Sequence, residues 1–349
     1  MSIVCQVICF FGGLCVFMFA LETISENSVV FMGNKTSNLI RKCSKNKFYG
    51  VLCGAAVSSI CQSGAAANAV AVDFANAKIL SCVEACAVIV GTNIGSTVIG
   101  QISALTGIGV NVSVFSSVIA CIGYAAMTFG GKKIKPYGGF LFGLGLLFVG
   151  LYLMGERIDQ IKNCFFIRAL FCVKNPTLLF LNGAFSTFVM QSSSAFTAMI
   201  IGFSGGGAIN FASAAYLILG ANVGSCFSVL FISLKKQDEG KTAAIFNLVY
   251  NFLGALITFV LFLIFGKWLT EIFGRAFSTI EIQIANFQTI FNVVSAVAVL
   301  PVITPMVNLI QKFACGRVNG RVICKVSADV KDVENDGLND DKIRQKQIV

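Results

Sequence analysis

The stretch Val189–Ile200, "VMQSSSAFTAMI", sets Gln191, Ser192, Ser193 and Ser194 side by side inside a long apolar run. Polar side chains are costly in apolar surroundings unless they find partners, so this quartet needs a purpose. Its setting is apolar throughout. Of 349 residues, 56% are hydrophobic and 12% charged, with a mean hydropathy of +0.83. A soluble domain carries about 25% charged residues. The charges are also crowded at one end, with five basic and six acidic residues within Lys325–Val349. Between the others lie apolar blocks, several near the roughly 20 residues that cross a bilayer as a helix. The chain is therefore expected to be an all-α polytopic membrane protein, multi-pass in the lipid bilayer of the cell (inner or plasma) membrane.

Composition excludes other classes. The first basic residue is Lys35, so the positive start of a cleavable signal is missing and residues 3–21 read as a retained span. No two of the 14 cysteines have Cys-x-x-Cys spacing; they are expected as free, small hydrophobes. There is no histidine, which removes the commonest general base and metal ligand. A serine nucleophile would need a lysine partner, and the nearest in sequence to Gln191–Ser194 is Lys174. No catalytic residue, cofactor or metal beyond a coupling Na⁺ is expected. The net charge of +10 does not mark a nucleic-acid binder, because no basic stripe with interleaved aromatics appears. The positives fall in loops between spans, where they orient membrane proteins.

Four basic clusters set that orientation: Arg41–Lys42–Lys45–Lys47, Lys132–Lys133–Lys135, Lys235–Lys236–Lys241 and the tail from Lys312. With the N-terminus outside, all four reach the cytoplasm if 48–76 and 176–205 are hairpins that enter and return. Full spans are then expected at 3–21, 79–104, 110–129, 137–155, 209–234, 243–265 and 284–311, with the C-terminus cytoplasmic. The segment 156–175 falls outside despite Arg157, Lys162, Arg168 and Lys174, only partly offset by Glu156 and Asp159.

The quartet also recurs. "QSGAAANAVAV" begins at Gln62 and "QSSSAFTAMII" at Gln191, 129 residues on; "GTNIGSTV" begins at Gly91 and "GANVGSCF" at Gly220, again 129 on. The orientation gives the halves opposite topology, as in many secondary transporters. The expected organisation is a first inverted repeat over 1–130, with a hairpin around Gln62 and a broken span around Asn93. A second follows over 131–311, with a hairpin around Gln191 and a broken span around Asn222; residues 312–349 form a charged cytoplasmic tail. Irregular backbone survives at membrane depth only when buried in protein or lining a cavity. Half-helix N-termini suit an anion, and hydroxyl, amide and carbonyl oxygens suit a hard cation. Small and polar residues also serve helix packing, which is the competing explanation for any one of them.

At these residues the sequence resembles the type II sodium–phosphate cotransporter family, marked by two Gln-Ser-Ser-Ser-like motifs, each followed by a Gly-Ala-Asn-Ile-Gly-Thr-like motif. They stand here as "QSGA" (62–65), "GTNIGST" (91–97), "QSSSA" (191–195) and "GANVGSC" (220–226); "YGGFLFGLGLLFVGLYLMGE" (137–156) is similar to the span opening the family's second repeat. The first copy departs at Gly64 and Ala65, where hydroxyls are usual, and Asn247 and Gln288 stand where histidine is frequent. The resemblance implies a sodium-coupled transporter of inorganic phosphate, by alternating access around a midplane site. Phosphate would be held by Gln62, Ser63, Gln191, Ser192, Ser193, Asn93 and Asn222. Sodium would be held by Ser63, Ser96, Thr97, Ser194, Ser225, Asn251 and Asn292. Another oxyanion, an organic phosphate or efflux is the alternative, and homo-oligomerisation stays open. Asp73, Lys78 and Glu84 stand out as ionisable residues beside the first hairpin, with a surface Asp73–Lys78 pair as the simplest expectation.

Overall fold

Several polar residues that interrupt the apolar sequence, Asn46, Gln62, Ser63, Ser81, Asn175, Gln191, Ser192 and Asn210, become helix ends. The computed structural model describes residues 3–32, 40, 46–105, 112–162, 164–234, 236 and 238–314. Arg41, Lys42, Lys45, Lys235 and the expected tail beyond residue 314 lie outside the described residues. Among the described residues the chain is helical: α1 (Ile3–Met32), α2 (Lys47–Cys61), α3 (Gly64–Asn76), α4 (Cys82–Gly95), α5 (Val98–Ala104), α6 (Val112–Phe129) and α7 (Lys135–Ile161). There follow α8 (Phe165–Phe171), α9 (Pro176–Met190), α10 (Ser193–Gly205), α11 (Phe211–Ser233), α12 (Asp238–Ala276), α13 (Ile280–Val299) and α14 (Ile303–Ala314). Six described stretches are long and apolar enough to cross a membrane: Ile3–Val30, Cys82–Ala104, Lys135–Ile161, Phe211–Ser233, Asp238–Ala276 and Ile280–Phe313. The chain is a polytopic all-α membrane protein.

The two copies of the motif fold alike, residue for residue. Asn46 caps α2 by accepting the Phe48 N–H at 2.9 Å, and Asn175, 129 positions on, caps α9 by accepting the Thr177 N–H at 2.9 Å. Pro176, at the start of α9, supplies a φ already set for a helix. The helices end at Gln62 (φ 53°, ψ 22°) and Gln191 (φ 54°, ψ 17°), both left-handed. Ser63 and Ser192 are extended, and their hydroxyls accept the N–H groups of Ala66 and Ala195, each at 3.2 Å, to start α3 and α10. A left-handed residue with a side chain costs about 1–2 kcal/mol. At Gln62 the side-chain amide offsets part of this by donating to the Ser59 carbonyl, one of the free acceptors at a helix end. The correspondence continues through a second left-handed pair, Lys78 (φ 58°) and Gly207 (φ 70°). Ser81 then caps α4 in a capping box with Glu84, and Asn210 caps α11. Glu84 therefore has a helix-starting role.

The glycines of the second motif press the pairs together. A Cβ on Gly91 would lie 1.9 Å from the Val51 carbonyl oxygen, and one on Gly220 would lie 1.9 Å from the Phe180 carbonyl oxygen. Val51 and Phe180 are themselves 129 apart. Backbone therefore meets backbone in the α2–α4 and α9–α11 pairs, the approach that small residues permit between membrane helices. Elsewhere α1 packs along α7 and α7 along α6. Phe211, Phe262, Phe273 and Phe287 knit α11, α12 and α13 together with ring centroids 5.0–6.2 Å apart.

Several expectations need correction. The first helix does not stop at 21 but runs on to Met32. The helix around Asn93 stops at Gly95 and another starts at Val98, whereas the helix around Asn222, expected to break, is continuous from Phe211 to Ser233. The difference falls at one position. Thr97 binds the Ile94 carbonyl through both its N–H (3.1 Å) and its hydroxyl (2.8 Å), a tighter turn than the α-helix. Its counterpart Cys226 reaches a full turn back to the Asn222 carbonyl at 3.3 Å. Asp73 does not pair with Lys78. It binds Lys236 at 2.7 Å, and Lys78 approaches Glu239 at 4.0 Å, tying the end of α3 to the α11–α12 junction. In the segment 156–175, Arg157 pairs with Glu156 at 3.5 Å and Lys162 with Asp159 at 2.9 Å.

Gly220→Ala is expected to cost about 1–3 kcal/mol, as overpacking does in a filled core. Gly155→Ala, where a Cβ meets nothing within 4 Å, should be neutral or stabilise by up to about 1 kcal/mol through helix propensity. Melting temperatures of the purified variants check both.

Candidate functional site

Each hairpin presents the same three elements at its tip: a left-handed glutamine, an extended serine and the first turn of a new helix. In that first turn the backbone N–H groups have no partner within the helix, and the helix dipole adds roughly half a positive charge. The two tips share one cavity of about 670 Å³. The first contributes Gln62, Ser63, Gly64 and Ala65; the second contributes Gln191, Ser192, Ser193 and Ser194. The second motifs supply Asn93 with Ser96 and Asn222 with Ser225, again at equivalent positions. Residues 129 apart in sequence, spread over both halves, thus face a single hollow.

Within the wall the polar groups are unevenly satisfied. Ser96 and Ser225 donate to the carbonyls of Asn93 and Asn222 at 2.9 and 2.8 Å, which leaves their oxygen lone pairs free to accept. Asn222 donates its Nδ2 to the Ile218 carbonyl at 3.1 Å. Asn93, only 9% exposed, has an Nδ2 with no acceptor, and Gln62 has a buried Oε1 with no donor. Both atoms are enclosed by protein, and among the described residues Ser58, Thr187, Ser204 and Tyr250 likewise have a buried oxygen without a protein partner. Gly64, which stands where the second copy has Ser193, has a packing reason. A Cβ there would come within 3.2 Å of the Ser96 Cβ.

Of the residues singled out from sequence, Gln62, Ser63, Asn93, Ser96, Gln191, Ser192, Ser193, Ser194, Asn222 and Ser225 line the cavity. Thr97, Asn251 and Asn292 do not. Thr97 tightens the break after α4, while Asn251 donates to the Asn247 carbonyl at 2.9 Å and Asn292 to the Gln288 carbonyl at 2.8 Å. All three are at least 97% buried and occupy bracing positions. Gln288, where the family often has histidine, donates to the Thr197 hydroxyl at 3.2 Å and so joins α13 to α10.

Sequence reading passed over several residues of the wall. Asn68, on the first turns of α3, hydrogen-bonds with the Thr92 hydroxyl and lies beside the tip. Glu22, Ser25 and Glu26 come from α1, in the part beyond the expected span. Their signal was their helical spacing, which puts all three on one face together with Cys15, Met18 and Phe19. The wall carries these two carboxylates and no lysine or arginine among the described residues. An anion here would be held by amide N–H groups, hydroxyls and helix dipoles.

Water-filled access to this wall has a direct test. Ser193→Cys should react with a small polar thiosulfonate, whereas Asn292→Cys should stay protected, as read by peptide mass spectrometry. Equal protection of both would mean the hollow is closed to solution.

The chain is similar to a Bacillus subtilis protein named "Uncharacterized protein YqeW", with 25% identity over 257 residues that cover 73% of this chain and 80% of that one. It is also similar to the Escherichia coli O157:H7 protein named "Putative inorganic phosphate export protein YjbB", 23% identical over 279 residues, 78% of this chain and 49% of YjbB. The K12 strain's protein of the same name is 22% identical over 279 residues. The match thus spans about half the length of the YjbB proteins. No solved structure matches the chain. The Na⁺/Pi-cotransporter family, a transporter family rather than one of enzymes, matches residues 16–156 and 167–290. Since that covers most of the sequence and both pairs of motifs lining the cavity, the chain belongs to the Na⁺/Pi-cotransporter family.

Proposed function

We propose that the protein moves inorganic phosphate across the membrane, coupled to sodium, by alternating access around the cavity between the hairpin tips. The observation that carries this reading is the single cavity faced by both Gln-Ser tips. Two helix N-termini, Ser63/Gly64 and Ser192/Ser193, open on it, and helix N-termini attract anions through free N–H groups and dipole. Phosphate is assigned to Gln62, Ser63, Gln191, Ser192, Ser193, Asn93 and Asn222. Sodium is assigned to the oxygens of Ser63, Ser96, Ser194 and Ser225, with Thr97, Asn251 and Asn292 bracing the helices behind.

The hairpins are taken as re-entrant. Arms of 15 and 13 residues rise only about 20–22 Å at 1.5 Å per residue, short of the roughly 30 Å hydrocarbon layer. The basic loops favour an N-terminus outside and a cytoplasmic C-terminus, which gives the two hairpins opposite entry and the halves inverted topology. Cation and anion each lower the other's desolvation cost in the same hollow. One net positive charge moved down about 100 mV supplies about 2.3 kcal/mol.

A second reading, export, has one specific support: the name of the YjbB relatives. Direction follows from the imposed gradients, so the two readings share one site and differ in coupling. In proteoliposomes, radiolabelled phosphate uptake should fall at least tenfold when external sodium is replaced by choline. Uptake indifferent to the swap would remove sodium coupling, and sodium-independent efflux from preloaded vesicles would establish the export reading. Ser192→Ala should reduce flux at least tenfold. Through its lost helix cap it should cost about 1 kcal/mol of stability, so the protein should remain folded while transport fails.

A further inference from the structure

The turn between α6 and α7 has no part in the scheme above. α6 packs chiefly along α7, and glycines hold the two backbones together. A Cβ on Gly123, Gly138 or Gly145 would collide with the backbone nitrogen of Phe142, Met127 or Ala120 respectively. The turn itself is ordered. The Gly131 carbonyl accepts the N–H groups of Ile134 at 2.8 Å and Lys135 at 3.1 Å, and Pro136 sits in the first turn of α7, where its fixed φ suits a helix. Lys132, Lys133 and Lys135 are all exposed on this support.

No acid answers them among the described residues. The sequence has no aspartate or glutamate between Glu84 and Glu156, and none of the ion pairs among the described residues involves these lysines. α1 passes beside α7 here, with Asn27 against Gly139, but the adjoining acid on α1, Glu26, lines the cavity. The apolar and aromatic neighbours of the turn are bare as well: Tyr124, Phe129, Ile134 and Tyr137 are each more than half exposed. On a membrane-spanning protein such side chains meet lipid. Tyrosines gather at the level of the headgroups, and Tyr124 and Tyr137 flank the lysines from the two helices.

We propose that the α6–α7 turn is a binding site for an acidic phospholipid. Lys132, Lys133 and Lys135 take the anionic headgroup, while Phe129 and Ile134 lie against its acyl chains. Clustered basic side chains beside a membrane helix attract anionic lipids, and each ammonium offers three donors to phosphate oxygens. A zwitterionic headgroup brings its own cation and so cancels most of the attraction. Because the turn is already ordered, little side-chain support has to be organised on binding. Basic loops orient a chain in the membrane; this site adds a choice among the lipids that surround it.

The test uses the purified full-length protein in a neutral detergent. Its melting temperature is followed during titration with dioctanoyl phosphatidylglycerol, dioctanoyl phosphatidylcholine or glycerol phosphate. Phosphatidylglycerol should stabilise the wild type with a midpoint about tenfold or more below that of phosphatidylcholine. Lys132→Gln/Lys133→Gln/Lys135→Gln should move the phosphatidylglycerol midpoint up about tenfold or more, and Lys132→Arg/Lys133→Arg/Lys135→Arg should keep it within about threefold of wild type. Should the triple glutamine variant not fold, each single glutamine variant should still move the midpoint about threefold. Lys174→Gln, at an exposed lysine of another loop, should leave it unchanged. A midpoint that stays put in the glutamine variants overturns the site, as does equal stabilisation by phosphatidylcholine or an equal shift in Lys174→Gln. Stabilisation by glycerol phosphate that the glutamine variants lose would make this a site for soluble anions and overturn the lipid. None of these readouts involves transport, so the phosphate reading stands or falls separately.

Discussion

The architecture answers one constraint: in a membrane protein, helix ends and other irregular backbone are tolerated at lipid depth only where something other than lipid meets them. At Gln62 and Gln191 a helix stops, the chain turns through left-handed backbone, and a serine caps the next helix. In hydrocarbon the carbonyls of the ending helix and the N–H groups of the starting one would each cost several kcal/mol. Here serine hydroxyls and the Gln62 amide meet part of that demand, and both tips face the shared cavity. The tips must therefore be held against partners close enough to exclude lipid. The Gly91–Val51 and Gly220–Phe180 contacts bring backbone against backbone behind each tip. The polar cavity wall and the tight helix pairs are two consequences of the same requirement.

Much of this was legible because the chemistry repeats. A motif of Gln, Ser, Asn and Gly recurring at a fixed offset in apolar sequence has few explanations, and ten residues chosen from it line one cavity. Capping residues were legible for the same reason: Asn46 and Asn175, or Ser81 and Asn210, punctuate apolar runs with side chains that accept N–H bonds. Hairpin boundaries followed. The sequence could not show which motif residues would turn inward on their own helix. Asn251 and Asn292 are asparagines in apolar helices, as Asn93 and Asn222 are, yet they do not line the hollow.

The end of α1 illustrates the opposite difficulty. Glu22 and Glu26 look like the polar edge of a span when hydropathy alone sets the boundary, so the helix was expected to finish at residue 21. It continues because the acids need not enter lipid. One face of α1, with Phe17, Ile24 and Ser28, is buried in protein, and the neighbouring face opens on water-accessible space. Hydropathy averages around the helix and cannot see that division. The unbroken helix around Asn222 teaches the same lesson on a smaller scale. Its amide is satisfied by the Ile218 carbonyl within the helix, so an asparagine there required no break.

Among the described residues the cavity wall carries no lysine or arginine, and under the proposed function that composition has a kinetic consequence. A fixed guanidinium in a desolvated site forms bidentate, charge-assisted bonds to a phosphate, and strong binding of a bound state slows release as surely as it favours capture. Helix N-termini carry only about half a charge each, spread over backbone that cannot itself follow the ion. Hydroxyls and amides add directional bonds of ordinary strength. Under the proposed function such a site would recognise an oxyanion by shape and donor count rather than by a fixed charge, and would hold it only as tightly as release allows.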